Sequence, residues 1–191
     1  MPKHDWIKNP VHKILQKEGL WPFDKINTVL DVACGLSLKS KYLGAAYILG
    51  IDIHEPYLRA IEYNGIYNVI KYDVLKLDNI ILDNSFEIVY ILDIIEHLPK
   101  QDALNLIDIC KRKCSCAVVT ETPLGYVPQN LDILGFGANE LQTHRSGWTI
   151  SELESLGFSC ILRKYTMQNI KRHTKLDVDT NIQLIDGIYL K

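Results

Sequence analysis

No stretch of this 191-residue chain holds the roughly 18 consecutive apolar residues of a membrane-spanning helix. The opening segment, MPKHDWIKNPVHKILQKEG, also lacks the apolar run of a secretory signal, and the expectation is a cytoplasmic protein. Charge of one sign is missing too. With 21 Lys and Arg against 23 Asp and Glu, the formal net charge of −2 excludes a strong general attraction to nucleic acid. The five cysteines are odd in number and scattered, which suits free thiols in a reducing compartment and not a disulfide framework. Cys110, Cys114 and Cys116 stand close together, but their spacing fits no common zinc pattern and no histidine adjoins them, so they read as core residues. Internal repeats and low-complexity segments are absent. The length suits one domain with a full hydrophobic core, so residues 1–191 are expected to form a single domain.

What is present is a succession of short apolar runs separated by helical segments. The runs are TVLDVA (28–33), AYILGIDI (46–53), VIKYDV (69–74), FEIVYILD (86–93) and CAVVTET (116–122). Near-continuous apolar strands of this kind belong in a mostly parallel sheet covered on both faces, built from βαβ units. Helical spacing connects Ile7, Val11, Ile14 and Leu15 ahead of Gly19, giving an N-terminal helical cover over residues 1–25. Leu38 and Tyr42 begin one amphipathic helix, Leu58 and Ile61 after Pro56 mark a short second, and Ala103, Leu106, Ile107 and Cys110 form the stripe of a third. Residues 75–85 look irregular. After the fifth run comes a Gly-, Pro- and Asn-rich segment, 124–148, longer than a connector needs to be, and long ordered loops often carry function. It ends where Thr149 and Glu152 form a capping box for a helix closed by Gly157. FSCILRKYTM and NIQLIDGIYLK read as two final strands, and the polar KRHTK link between them as a solvated turn.

The first strand runs into a turn short of glycine. In an open α/β sheet the ligand crevice lies outside the carboxyl ends of the strands, beside this turn. A dinucleotide fingerprint wants three glycines here, yet alignment on Gly35 leaves Ala33 and Leu38 in the outer positions. Leucine at the third position argues against a pyrophosphate and against a dehydrogenase. Asp52 ends the second strand, 21 residues after Asp31, where a carboxylate can accept hydrogen bonds from both ribose hydroxyls of a nucleoside. An acid ending an apolar strand costs desolvation unless something hydrogen-bonds to it.

LDVACGLS, the acid in GIDI, the acid in YDVL, the segment VYILDIIEHLPK and HRSGWTISELESLGF occur in an order that resembles the class I S-adenosylmethionine-dependent methyltransferases, from about residue 26 to 190. Ser37, where that family often has a third glycine, is the departure. The resemblance implies an α/β fold: a three-layer, doubly wound, mostly parallel seven-stranded sheet, the Rossmann-like methyltransferase fold, with the last strand antiparallel. It also implies S-adenosyl-L-methionine as cofactor, with S-adenosyl-L-homocysteine as product. Cofactor contacts are then expected at Asp31, Ala33, Gly35, Asp52, Ile53, Asp73, Val74 and Asp93, with Asp52 on the ribose and Asp73 at the adenine edge.

Each site residue also has a plainer reading. Asp31 either caps the turn or contacts the methionine amino group. Asp73 either begins a polar loop or reaches adenine. Glu96 and His97 either cap the next helix or, in the case of His97, serve as general base or substrate orienter; His144 shares that second role. Arg145 and Trp148 are expected on the substrate, although Trp148 is also placed to staple the helix that follows. Asp93 and Glu96 could hold a divalent metal, but two carboxylates and one imidazole so close in sequence rarely bind one without added ligands, and no metal is expected. The expected activity is methyl transfer to a small-molecule acceptor under the 124–148 loop, by a monomer or homodimer without nucleic-acid or membrane partners. A methyltransferase acting on protein or RNA, and a non-catalytic S-adenosylmethionine-binding protein, are the alternatives.

Overall fold

Alternation along the strands builds two cores. In the computed structural model, which describes residues 10–36, 39–40, 45–61, 67–130, 140–164 and 182–191, Leu30, Val89, Ile91 and Val118 face one way and Val29, Ile88, Tyr90 and Val119 the other. The strands are β1 (Thr28–Val32), β2 (Tyr47–Asp52), β3 (Tyr67–Lys71), β4 (Phe86–Leu92), β5 (Cys114–Pro123), β6 (Ser159–Lys164) and β7 (Gln183–Leu190). They form one sheet in the order β3-β2-β1-β4-β5-β7-β6. The pairs among β1 to β5 are parallel, and β7 runs antiparallel to both of its neighbours. The seven-stranded, mostly parallel sheet with an antiparallel final strand is therefore as expected. Successive side chains of a strand point to opposite faces, so a sheet buried on both sides must be apolar at nearly every position, as these runs are.

Helices cover both faces. On one side α3 (Lys100–Lys113) buries Ala103, Leu106, Ile107 and Cys110, the stripe expected from the sequence, and α4 (Ile150–Ser155) adds Leu153. On the other, α1 (Pro10–Lys17) and α2 (Glu55–Ala60) contribute Val11, Leu15 and Leu58 to a core shared with Trp21 and Ile26. The Thr149 hydroxyl accepts from the Glu152 N–H at 3.2 Å while the Glu152 carboxylate accepts from the Thr149 N–H at 2.8 Å, closing the expected capping box. Among the described residues no helix is long and apolar enough to cross a membrane.

Two expectations shift. The third strand ends at Lys71 and not at residue 74, because Asp73 leaves the sheet to cap a 3₁₀ helix, Val74–Asn79, by accepting from the Leu75 N–H at 3.0 Å. That helix lies in a segment that reads as irregular, yet it carries Leu77 fully into the core. Ile7, Ser37, Leu38, Tyr42, residues 131–139 and the KRHTK link lie outside the described residues.

His12 of α1 is fully buried against Trp21, with ring centroids 3.9 Å apart, and neither ring nitrogen has a partner among the described residues. Burial pulls its pKa down to about 3. Because the unfolded chain protonates this imidazole near its ordinary 6.5, acidification favours unfolding between the two values. Its contribution to stability is full above pH 6.5 and is lost as pH falls, by about 1.4 kcal/mol per pH unit once well below that point. Urea unfolding of His12→Phe between pH 7 and pH 5 should lose about that slope relative to the wild type. An unchanged slope would refute the assignment.

Candidate functional site

The strand order reverses between β1 and β4, and there the carboxyl ends of the parallel strands open into a cavity of about 620 Å³. Ten of the expected contacts line it in company with Gly35: Asp31, Ala33, Asp52, Ile53, Asp73, Val74, Asp93, His97, His144 and Arg145. Trp148 does not. It is fully buried in the core with Leu153 and Phe158, and its face is covered by the Lys100 ammonium 3.5 Å from the ring centroid. The expectation of a substrate contact at Trp148 is therefore corrected: the indole packs beneath the loop and not into the cavity.

The turn after β1 is built around the carboxylate at the end of β2. The Gly35 N–H donates to Asp52 Oδ2 at 2.9 Å and the His54 N–H donates to Oδ1 at 2.7 Å. Burial raises the Asp52 pKa, and these N–H donors oppose it. Each carboxylate oxygen accepts more than one hydrogen bond, so both retain capacity toward the cavity that Asp52 lines. Gly35 has φ +52°, and an added Cβ would meet nothing within 4 Å, so its requirement is conformational. Ala33 adopts φ 56° without being glycine, the strained position in this turn. Asp31 is buried and accepts from the Ser40 hydroxyl.

Beneath the cavity lies a chain of charges. Lys39 donates to Asp93, at 2.5 Å, and to Glu121; Arg163 pairs with Glu121 at 2.5 Å and with Asp186 at 2.8 Å. Burial works against the charged ammonium of Lys39, but the two carboxylates outweigh it and raise its pKa. Burial and the neighbouring Asp93 push Glu121 up to about 7. Lys39 and Glu121 are absent from the residues expected on sequence grounds. Glu121 carries the same signal as Asp52, an acid ending an apolar strand, whereas Lys39 has no signal beyond its place just after the glycine turn.

At the other end of the cavity, Glu96 and His97 sit on a 3₁₀ turn, Ile95–His97, after β4. The Glu96 carbonyl accepts from the Arg145 N–H at 2.7 Å and the Ser146 N–H at 3.0 Å, and the Ser146 hydroxyl donates to the Ile95 carbonyl at 3.0 Å. These bonds fasten the end of the 124–148 loop to the turn and bring the His97 and His144 rings to 4.7 Å between centroids. Burial, then the neighbouring His144, pulls His97 down to about 4; burial lowers His144 as well. Burial, then the Asp93 charge, pushes Glu96 up to about 8. The loop's base is closed where the Gly125 N–H donates to the Trp148 carbonyl at 2.7 Å.

Residues 30–115 match the family model described as a methyltransferase domain. Among solved structures, an S-adenosylmethionine-dependent methyltransferase from Archaeoglobus fulgidus is 21% identical with a TM-score of 0.62, covering 95% of this chain and 93% of its own. A second such enzyme, from Mesorhizobium loti, is 16% identical with a TM-score of 0.61 and coverages of 92% and 96%. Magnesium protoporphyrin IX methyltransferase from Synechocystis PCC 6803, with bound S-adenosylmethionine, is 15% identical with a TM-score of 0.56 and coverages of 94% and 76%. No curated protein sequence matches the chain. The sheet has the Rossmann-like methyltransferase fold. Over residues 30–115 the chain is similar to methyltransferase domains, and the solved structures that share its fold include S-adenosylmethionine-dependent methyltransferases, one of them with S-adenosylmethionine bound.

Gly147 lets the two ends of the loop approach each other closely. A Cβ there would stand 2.6 Å from the Tyr126 backbone nitrogen and 2.8 Å from the Gly125 carbonyl carbon, and backbone cannot rotate aside. Gly147→Ala should cost about 1–3 kcal/mol in urea unfolding, in the range of overpacked sites. Wild-type stability in that variant would show that the two segments do not approach so closely.

Proposed function

We propose that this chain, acting as a single domain, transfers the sulfonium methyl of S-adenosylmethionine to a small-molecule acceptor held between the Glu96–His97 turn and the 124–148 loop. The observation that carries the reading is Asp52. Its carboxylate is buried at the end of β2, is braced by the Gly35 and His54 N–H groups, and lines the cavity where a ribose would lie. In this reading Asp73 and Val74 meet the adenine and Asp31, Ala33 and Asp93 the methionine portion, and all five line the cavity. A volume of about 620 Å³ is of the size that encloses small ligands.

The cofactor supplies the reactive methyl; the protein supplies position. Holding acceptor and methyl in line near van der Waals contact removes up to about 7–11 kcal/mol of the barrier. His97 and His144 orient the acceptor, and Arg145 at the rim offers a positive charge to it. The small cavity under a closed loop base supports a small acceptor over a macromolecular one.

Calorimetry with S-adenosylmethionine, S-adenosylhomocysteine and NAD tests the reading. The two sulfur ligands should bind and NAD should not, and Asp52→Ala should weaken the sulfur ligands about 10- to 100-fold, the loss of hydrogen bonds to a charged group. Tight NAD binding, or unaltered affinity in Asp52→Ala, would sink it. A labelled-methyl assay over a metabolite pool then identifies the acceptor.

A further inference from the structure

We propose that Glu96, His97 and His144 form a binding site for a divalent transition-metal ion, whose open coordination positions take a hydroxyl of the acceptor. One ligand atom from each of the three residues lies within 4.8 Å of the others, and all three residues are buried. A tetrahedral ion about 2.1 Å from each ligand brings such atoms to about 3.4 Å apart, so a modest inward turn of the side chains closes the site.

The groups behind the ligands are arranged as metal ligands require. His144 Nδ1 donates to the Val127 carbonyl at 2.6 Å, which fixes the tautomer and leaves Nε2 with its lone pair free. Glu96 Oε2 accepts from the Thr122 hydroxyl at 2.9 Å, which orients the carboxylate and leaves its other oxygen for the site. His97 is 7% exposed, and its Nδ1 is buried with no partner among the described residues. An imidazole nitrogen left bare in the interior is costly unless something binds it.

The donor set selects the ion. Two imidazoles and one carboxylate suit zinc, iron or cobalt, whereas calcium and magnesium take oxygen ligands. Three protein ligands leave a position for substrate, the arrangement of a reactive centre and not of a structural one. The positions face the same cavity as Asp52. The ion's part in catalysis rests on the activity proposed for that cavity; its binding does not. A hydroxyl bound to the ion loses its proton to water more readily. The oxygen's electron pair then forms the O–CH₃ bond as the S–CH₃ bond breaks. The breaking pair stays on sulfur, so the sulfonium becomes a neutral thioether and one proton is released to solvent.

Cobalt(II) and zinc titrated into chelator-treated, full-length protein decide the matter, with visible absorption and calorimetry as readouts and S-adenosylhomocysteine affinity measured in parallel. One equivalent should bind. His144→Gln and Glu96→Gln should weaken binding by at least about 100-fold and Thr122→Val by about 10- to 100-fold, while S-adenosylhomocysteine affinity holds. Wild-type protein that takes up no metal overturns the proposal, as do ligand variants that keep wild-type metal affinity. A cobalt–thiolate charge-transfer band, assigning the metal to cysteine, overturns it equally. If both ligand variants fail to fold, Thr122→Val decides. Metal uptake without S-adenosylhomocysteine binding leaves the site standing and removes the activity instead.

Discussion

Every parallel strand of this sheet delivers an acidic side chain to the same edge: Asp31 in β1, Asp52 at the end of β2, Asp73 after β3, Asp93 after β4 and Glu121 near the end of β5. Like charges gathered in a half-buried crevice repel and resist desolvation, so the fold must satisfy each of them separately. Asp31 takes the Ser40 hydroxyl, Asp52 takes two backbone N–H groups, and Asp73 takes a backbone N–H and the Lys76 ammonium at 3.3 Å. Asp93 and Glu121 share Lys39, and Arg163 ties Glu121 to Asp186. These arrangements fix the glycine turn, the first residues of the 3₁₀ helix and the joint between β5 and the antiparallel strand β7. An acidic crevice is also a favourable surrounding for a cationic ligand such as a sulfonium.

What could be read from the residues alone was what is local. Asp52 was legible because its strand, its turn and its acid lie within a short stretch, and the α3 stripe because helical periodicity is a near-neighbour property. The Thr149–Glu152 box is three residues wide. The misses have the opposite character. Trp148 sits in a loop that looks like a substrate wall, and only the packing of Leu153, Phe158 and Lys100 around it shows an interior residue. Lys39 meets Asp93 and Glu121, 54 and 82 residues away. His144 meets His97 across 47 positions, a distance over which no spacing rule operates. The same separation brings His144 to Glu96 and His97, from the far end of the loop. Leu77 was hidden because the apolar residues of 75–85 follow neither helical nor strand periodicity, and only the packing shows that Leu77 and Ile81 enter the core while Ile80 and Leu82 stay exposed.

The shortage of glycine beside β1 takes a different meaning in this setting. Ala33 and Asp93 occupy left-handed backbone at φ 56° and 51°, one residue beyond β1 and β4, the two strands between which the order reverses. Each such non-glycine residue costs on the order of 1–2 kcal/mol, so the neighbouring bonds must hold it in place. For Ala33 these are the Cys34 N–H to the Ile51 carbonyl at 3.0 Å and the Gly35 N–H to Asp52; for Asp93, its own N–H to the Glu121 carbonyl at 2.9 Å and its carboxylate to Lys39. A glycine at either position would relieve the strain, but it would enlarge the unfolded ensemble and, at Asp93, remove the partner of Lys39. Strain is thus kept where the two strand ends diverge to make room for a ligand, and the acids that stabilise the strained turns line the cavity those turns create.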